Sequence, residues 1–432
     1  MFINVDMKNQ SHGDRSRSAA PAGPEAREEL GAAEAAALLG VKLPTLYAYV
    51  SRGLLASLPG ARGRARRYRR SDLLALRERG PARRAAAGAL RWGEPILETA
   101  ITAMTPDGPA YRGHPVAALV ASRAGFEAVA ELLWTGELAA APPSWEPGPE
   151  PELAPMLACL PPDAPHAACL PLLVAARAAG DPGRFDARLE AVLPRARSLL
   201  RLLAIGLALP RAPSRARRAW RAPTLAQVVA RAFGVEPRPE RVAALDACLV
   251  LFADHELNAS TFAARVAAST HADLYAVVQA GLAALSGPLH GAASDRFEAL
   301  LAEAVAAGSA ERALAERLRR GELVPGFGHP FYGAAGDARA RLLLALAAEQ
   351  GSRSEELAAA LAIVAAMRRE GRPPVNVDAA AVALRAALGL PRGAVAGLFA
   401  LGRAAGWVAH GLEQAASGRL LRPRARYRGP GA

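Results

Sequence analysis

Beyond Trp92 the chain runs in long stretches of alanine and leucine on a helical period, and that pattern leaves few architectures open. Both residues are strong helix formers and neither is β-branched, so such stretches bury themselves helix against helix rather than as sheet. Hydrophobic residues make up 52% of the 432 and aromatic ones 5%, which excludes a disordered chain. The length corresponds to about three ordinary domains. The most apolar stretches, such as 243–253 and 393–402, are too short or too interrupted by charge to span a bilayer. The first twenty residues lack an apolar signal core, so the expected location is the cytoplasm. Cys159, Cys169 and Cys248 form neither an even framework nor a CxxC pair, and read as buried thiols.

Charge is spread unevenly. The formal net charge is +13, and residues 62–84 alone hold ten basic and two acidic side chains. Residues 1–29 mix Ser, Gly, Pro and charges without a hydrophobic period and read as a disordered leader. From Leu30 to about residue 85 a compact unit follows. Leu30, Ala33, Ala36 and Ala37 lie on a helical period, Gly40 supplies a turn, and Pro44 opens a second helix. A Gly/Arg-rich hairpin leads into Arg66-Arg67-Tyr68-Arg69-Arg70, and Ser71-Asp72 opens a third helix. This layout resembles the small winged helix-turn-helix domains of the excisionase and mercury-regulator type. The resemblance implies groove contact by Thr45, Tyr49 and Arg52 and phosphate contact by Arg66, Arg67 and Arg69. The competing reading is an Arg-rich loop that only solvates a small domain.

The Ala/Leu region is interrupted by a Pro-rich connector at about 142–165 and shows no fixed repeat. The phosphate-binding loop, the HExxH zinc pair and the GxSxG elbow are missing from the sequence, which disfavours an NTPase, a zinc protease and a serine hydrolase. Three histidines stand beside glycines or in a polar cluster: His255 in ADHELN, His290 in GPLHG and His329 in GFGH. Asp378 follows a Pro-Pro turn, and Arg339, Arg403 and Arg422 lie in punctuated contexts. Two histidines, an aspartate and several arginines describe acid–base chemistry on a substrate rich in carboxylates, because the planar guanidinium pairs with carboxylate through two parallel hydrogen bonds.

These motifs resemble the citrate synthase family. ADHELNAST (253–261), GPLHG (287–291), VPGFGHPFY (324–332), NVD (376–378), GRAAGWVAHGLEQ (402–414) and LRPRARYRG (421–429) occur in the family's order and near its spacing. The resemblance implies a mainly α fold, with a large helical domain from 93–286 and 393–432 and a small one from 287–392. It implies condensation of acetyl-CoA, or another short acyl-CoA, with oxaloacetate, without metal or cofactor. Asp378 would be the base, His290 the donor to the thioester oxygen and His329 the carbonyl polariser. His255, Arg339, Arg403 and Arg422 would hold oxaloacetate, with Arg422 reaching across a homodimer interface. CoA would lie along Val324, Gly326 and Gly328, with Asn376 nearby. His410, in a helical run, reads as a packed residue. The alternative is a DNA-binding regulator whose synthase region senses acyl-CoA or oxaloacetate.

Overall fold

A computed structural model describes residues 28–39, 41–51, 55–59, 66–74, 97–140, 143–152, 160–161, 163–329, 331–423 and 429. Arg52, Cys159, most of the leader, the hairpin tip and the last residues of the tail motif lie outside them. The chain divides into two compact units, residues 1–98 and 99–432.

In the first unit a short strand β1 (Glu29–Gly31) precedes helices α1 (Ala32–Leu39) and α2 (Leu43–Ser51), and strands β2 (Leu58–Pro59) and β3 (Arg66–Arg69) follow. β3 is the middle strand, antiparallel to both β1 and β2. Glu29, expected in the leader, opens β1, because a three-residue strand has no period to read and its partner lies far along the chain. Leu30, Ala35, Ala36, Leu46, Leu55, Tyr68 and Leu73 form a small core of this unit's own. Alternation along β3 buries Tyr68 and leaves Arg67 and Arg69 on the outside, with Arg66 exposed as well.

The second unit is helical apart from a three-stranded meander, β4 (Thr102–Thr105), β5 (Gly108–Tyr111) and β6 (His114–Pro115). Its helices are α3 (Val116–Ala121), α4 (Phe126–Thr135), α5 (Leu170–Ala179), α6 (Leu189–Gly206), α7 (Pro213–Ala219), α8 (Leu225–Phe233) and α9 (Pro239–Phe252). There follow α10 (Ala259–Ala268), α11 (Leu274–Leu285), α12 (Ala293–Ala307), α13 (Ala310–Arg319), α14 (Ala338–Glu349), α15 (Glu355–Arg369), α16 (Val377–Leu388) and α17 (Ala394–Ser417). Helices α12 to α16 pack on one another, and α17 returns across α9, α10 and α11. Among the described residues no helix is long and apolar enough to cross a membrane. Cys169 and Cys248 are free and buried, as expected.

Helix α17 places the site. It is buried along most of its length although it contains four glycines, each costing up to about 1 kcal/mol of helix propensity. Close approach explains two of them. A Cβ on Gly402 would stand 2.7 Å from the Phe252 Cβ, and one on Gly406 would stand 2.5 Å from the Ala253 carbonyl oxygen. The helix thus lies directly on the end of α9 and on the loop that follows it.

Candidate active site

Three loops carry the candidate residues, and each ends in a side-chain cap that starts a helix. In the first, the Asp254 carboxylate accepts from the Glu256 amide at 3.1 Å, closing a turn around His255 in which Glu256 is left-handed (φ 53°). Asn258 then caps α10 by accepting from the amides of Ser260 and Thr261. In the second, Asp337 caps α14 by accepting from the Arg339 amide at 3.0 Å. In the third, Asn376 caps α16 by accepting from the amides of Asp378 and Ala379. Asp378 is therefore a first-turn residue and not the cap.

Segment 324–328 is tied to the strand-like stretch before α16. The Gly328 amide donates to the Pro374 carbonyl at 2.7 Å, the Asn376 amide to Gly326 at 2.9 Å, and the Asn376 side chain to the Gly328 carbonyl at 3.2 Å. Gly326 is left-handed (φ 83°), and a Cβ there would meet Ala379 at 2.5 Å, so the main chain runs directly over the first turn of α16. This brings Gly326, Gly328 and Asn376 together, with Val324 partly buried beside them.

The titratable groups form one cluster. His255 is buried and shares a 2.5 Å hydrogen bond with the Tyr332 hydroxyl, and its ring stands edge-on to His329 with centroids 5.5 Å apart. Burial, reinforced by Arg339 and Arg403, lowers His255 well below the ordinary imidazole range. Burial and Arg339 lower His329 too. His290 is pushed down to about 4 by burial and by Arg403. All three imidazoles are therefore neutral at pH 7. The Asp378 carboxyl moves the other way, pushed up to about 6 by burial although Arg339 pulls it down. Burial pushes the Tyr332 phenol up to about 12, so it keeps its proton.

Two arginines of the cluster are buried. Arg339 is buried and gives Nε and Nη2 to the two carboxylate oxygens of Asp337 at 3.1 and 2.8 Å. Arg403 is also buried, and its Nε donates to the Phe252 carbonyl at 3.0 Å. Among the described residues the terminal nitrogens of Arg403 have no hydrogen-bond partner in the chain. A buried guanidinium with open donors is costly unless a ligand fills them. Arg422 is exposed on the tail beyond α17, and among the described residues no side chain joins it to the cluster. Thr45, Tyr49, Arg66, Arg67 and Arg69 belong to the first unit, where all but half-buried Tyr49 are exposed.

The structure adds residues that the sequence did not single out. The Ser260 hydroxyl lies at 2.9 Å from His290 Nε2, accepts from Trp407 Nε1 at 3.2 Å and donates to Asn258 Oδ1 at 2.7 Å. Tyr332 and Ser260 both sit inside motifs already conspicuous in the sequence. His410 is buried, as expected, yet it is hydrogen-bonded to Asp254 at 3.3 Å, and its seven-residue spacing from Arg403 puts both on one helix face.

Comparison with known proteins agrees with this geometry. The chain matches the family model "Citrate synthase, C-terminal domain" over residues 89–424 and a "Helix-turn-helix domain" model over 29–81. It is 43% identical over 201 residues to a putative citrate synthase 2 of Mycobacterium tuberculosis H37Rv, an overlap covering 45% of this chain and 54% of that one. Citrate synthase 2 of Bacillus subtilis is 38% identical over 200 residues, 46% of this chain and 54% of that protein. The chain thus spans about half the length of the curated relatives it matches. The solved ternary complex of Thermoplasma acidophilum citrate synthase with carboxymethyl coenzyme A and oxaloacetate superposes with a TM-score of 0.67 at 27% identity, covering 78% of this chain and 95% of that one. The Thermotoga maritima enzyme gives 0.65 at 27% identity, covering 79% and 95%. With a family model matched over most of its length and a helical fold like these enzymes, the chain belongs to the citrate synthase family.

Proposed function

We propose that the second unit condenses a short acyl-CoA, acetyl-CoA in the first instance, with oxaloacetate and hydrolyses the resulting thioester. The observation that carries this reading is the grouping of His255, His329 and Tyr332 with buried Arg339 and Arg403, beside a carboxyl that burial pushes up to about 6. At pH 7 Asp378 is mostly ionised and can take a proton from the acyl methyl group. Its raised pKa also brings it closer to the weak carbon acid it must deprotonate.

His290 donates to the thioester oxygen and stabilises the enol. The Ser260 hydroxyl has one proton to give. In this structure that proton goes to Asn258 Oδ1; turned instead toward His290 Nε2, it puts the ring proton on Nδ1, free for the thioester. His329 polarises the oxaloacetate carbonyl and receives the developing alkoxide. Arg339, Arg403 and His255 hold the oxaloacetate carboxylates, and the Arg403 donors left open in the chain suit that use. The enol carbon bonds to the carbonyl carbon, water attacks the citryl thioester, and citrate and CoA leave. CoA lies along the main chain of 324–328 beside Asn376. Release of free thiol from acetyl-CoA, dependent on oxaloacetate, tests the reading, and equal release without oxaloacetate overturns it.

Arg422 completes the site from the partner subunit of a homodimer. Mixing Arg422→Ala with Asp378→Asn subunits should restore part of the activity, through the one hybrid site that keeps both residues. No recovery in verified heterodimers overturns the trans placement. The first unit favours a second activity, duplex binding, because Arg66, Arg67 and Arg69 are exposed along one short strand. Should acetyl-CoA or oxaloacetate change duplex affinity while no thiol is released, the chain is a ligand-sensing regulator instead.

A further inference from the structure

One face of helix α17 bonds at four positions to the chain segment that bears His255. Arg403 Nε donates to the Phe252 carbonyl at 3.0 Å, the Gly406 amide to the Ala253 carbonyl at 3.0 Å, and Trp407 Nε1 to the Ser260 hydroxyl at 3.2 Å. His410 Nε2 meets Asp254 Oδ2 at 3.3 Å, with both side chains fully buried. The spacing of 403, 406, 407 and 410 keeps these contacts on one helix face.

Asp254 is the joint of this arrangement. The same oxygen that faces His410 accepts the Glu256 amide and so closes the turn around His255. A Cβ on Gly406 would collide with Asp254 Oδ1, so the helix backbone fits against the carboxylate. The His410 tautomer follows from its other neighbour. Arg265 Nη1 lies 3.3 Å from His410 Nδ1 and a guanidinium can only donate, so Nδ1 accepts and the ring proton sits on Nε2, aimed at Asp254. Arg265 is in turn held by Glu413 at 2.6 Å and by Gln414 at 3.0 Å, and Glu413 also accepts the Ala100 amide at 2.8 Å.

We infer that His410 is a positioning residue: through Asp254 it fixes the turn that carries His255, and it sets that imidazole in register with Arg403 on the same helix. The inference rests on the proposed role of His255 and Arg403 in holding oxaloacetate. It deepens that reading by adding a residue that touches no substrate. Its signature is selective, because Asp254 carries the effect of His410 to His255 on the oxaloacetate side, while Ser260 beside His290 is held separately by Trp407 and Asn258 and CoA is assigned to the 324–328 segment.

The test compares His410→Ala with His410→Gln, whose amide nitrogen can still donate to Asp254 and whose oxygen can still accept from Arg265. In the Ala variant KM for oxaloacetate should rise about ten- to a hundredfold, the scale on which small misplacements act, with KM for acetyl-CoA unchanged. The Gln variant should recover most of the loss. Hydrogen–deuterium exchange of peptides covering 252–260 reads the positioning without substrate: faster in Ala and near wild type in Gln. Equal exchange in all three proteins overturns the inference. So does a parallel rise in both KM values, or a Gln variant no better than Ala. If the wild-type chain releases no thiol, the proposed function fails, and the exchange comparison still decides whether His410 holds the turn.

Discussion

The two units hold their arginines in opposite ways. In the first unit Arg66, Arg67 and Arg69 project from a short strand into solvent, and their contacts to the chain are few, such as Arg66 to the Ser57 hydroxyl at 2.7 Å. In the second, Arg201, Arg265, Arg339, Arg385 and Arg403 are buried and tied by carbonyls or carboxylates. An exposed, hydrated cation suits a polyanion of variable geometry, whose affinity comes from counterion release. A buried guanidinium has already lost its water and its rotamer freedom, so it suits a small ligand of fixed shape. On the proposed function, one residue type would serve two kinds of recognition, with burial deciding which.

The largest expected effect comes from removing the carboxyl proposed as the base. Asp378→Asn is nearly isosteric and leaves the Asn376 cap in place, so helix α16 should form and substrates should bind. Condensation should fall at least ~10² to 10⁴-fold, the usual range for loss of a general base. Steady-state thiol release measures it, and activity within tenfold of wild type would remove Asp378 from the role.

Much of this site was legible beforehand, for a physical reason. Residues that turn tightly or cap helices are constrained locally, so GPLHG, GFGH and NVD stand out in an Ala/Leu background. What joins them is not local. Tyr332 meets His255, Ser260 meets His290 and His410 meets Asp254 only because α17 folds back on the end of α9. No spacing rule reports such distances. The mainly helical fold was equally plain from composition, while strand β1 and the meander were missed because two- to four-residue strands show no alternation to count.

The pH dependence sharpens the comparison by a smaller factor. Asp378 must be ionised to act as base, and burial places its pKa at about 6. Thus kcat/KM should be level near neutrality and fall about tenfold per unit below pH 6. His290, near 4, should stay neutral over most of that limb. A profile flat down to pH 4.5 would contradict the raised carboxyl.

The exposed side of the comparison calls for a graded effect. Replacing Arg66, Arg67 and Arg69 together with Ala should lower the log–log slope of duplex affinity against salt by up to about 2.7, at ~0.9 for each phosphate no longer neutralised. Thiol release should stay unchanged. Electrophoretic mobility titrations at several salt concentrations measure it, and an unaltered slope would show that β3 faces no phosphate.

The chemistry proposed for this chain needs only the second unit. The direct measurement is oxaloacetate-dependent thiol release by the full chain beside a chain lacking residues 1–84. Every residue assigned to the site lies at or beyond Asp254, so kcat/KM for both substrates should agree within about twofold once the first unit is removed. A tenfold or greater loss in a truncated protein of unchanged helicity and oligomeric state would contradict the claim, as would the absence of release from both.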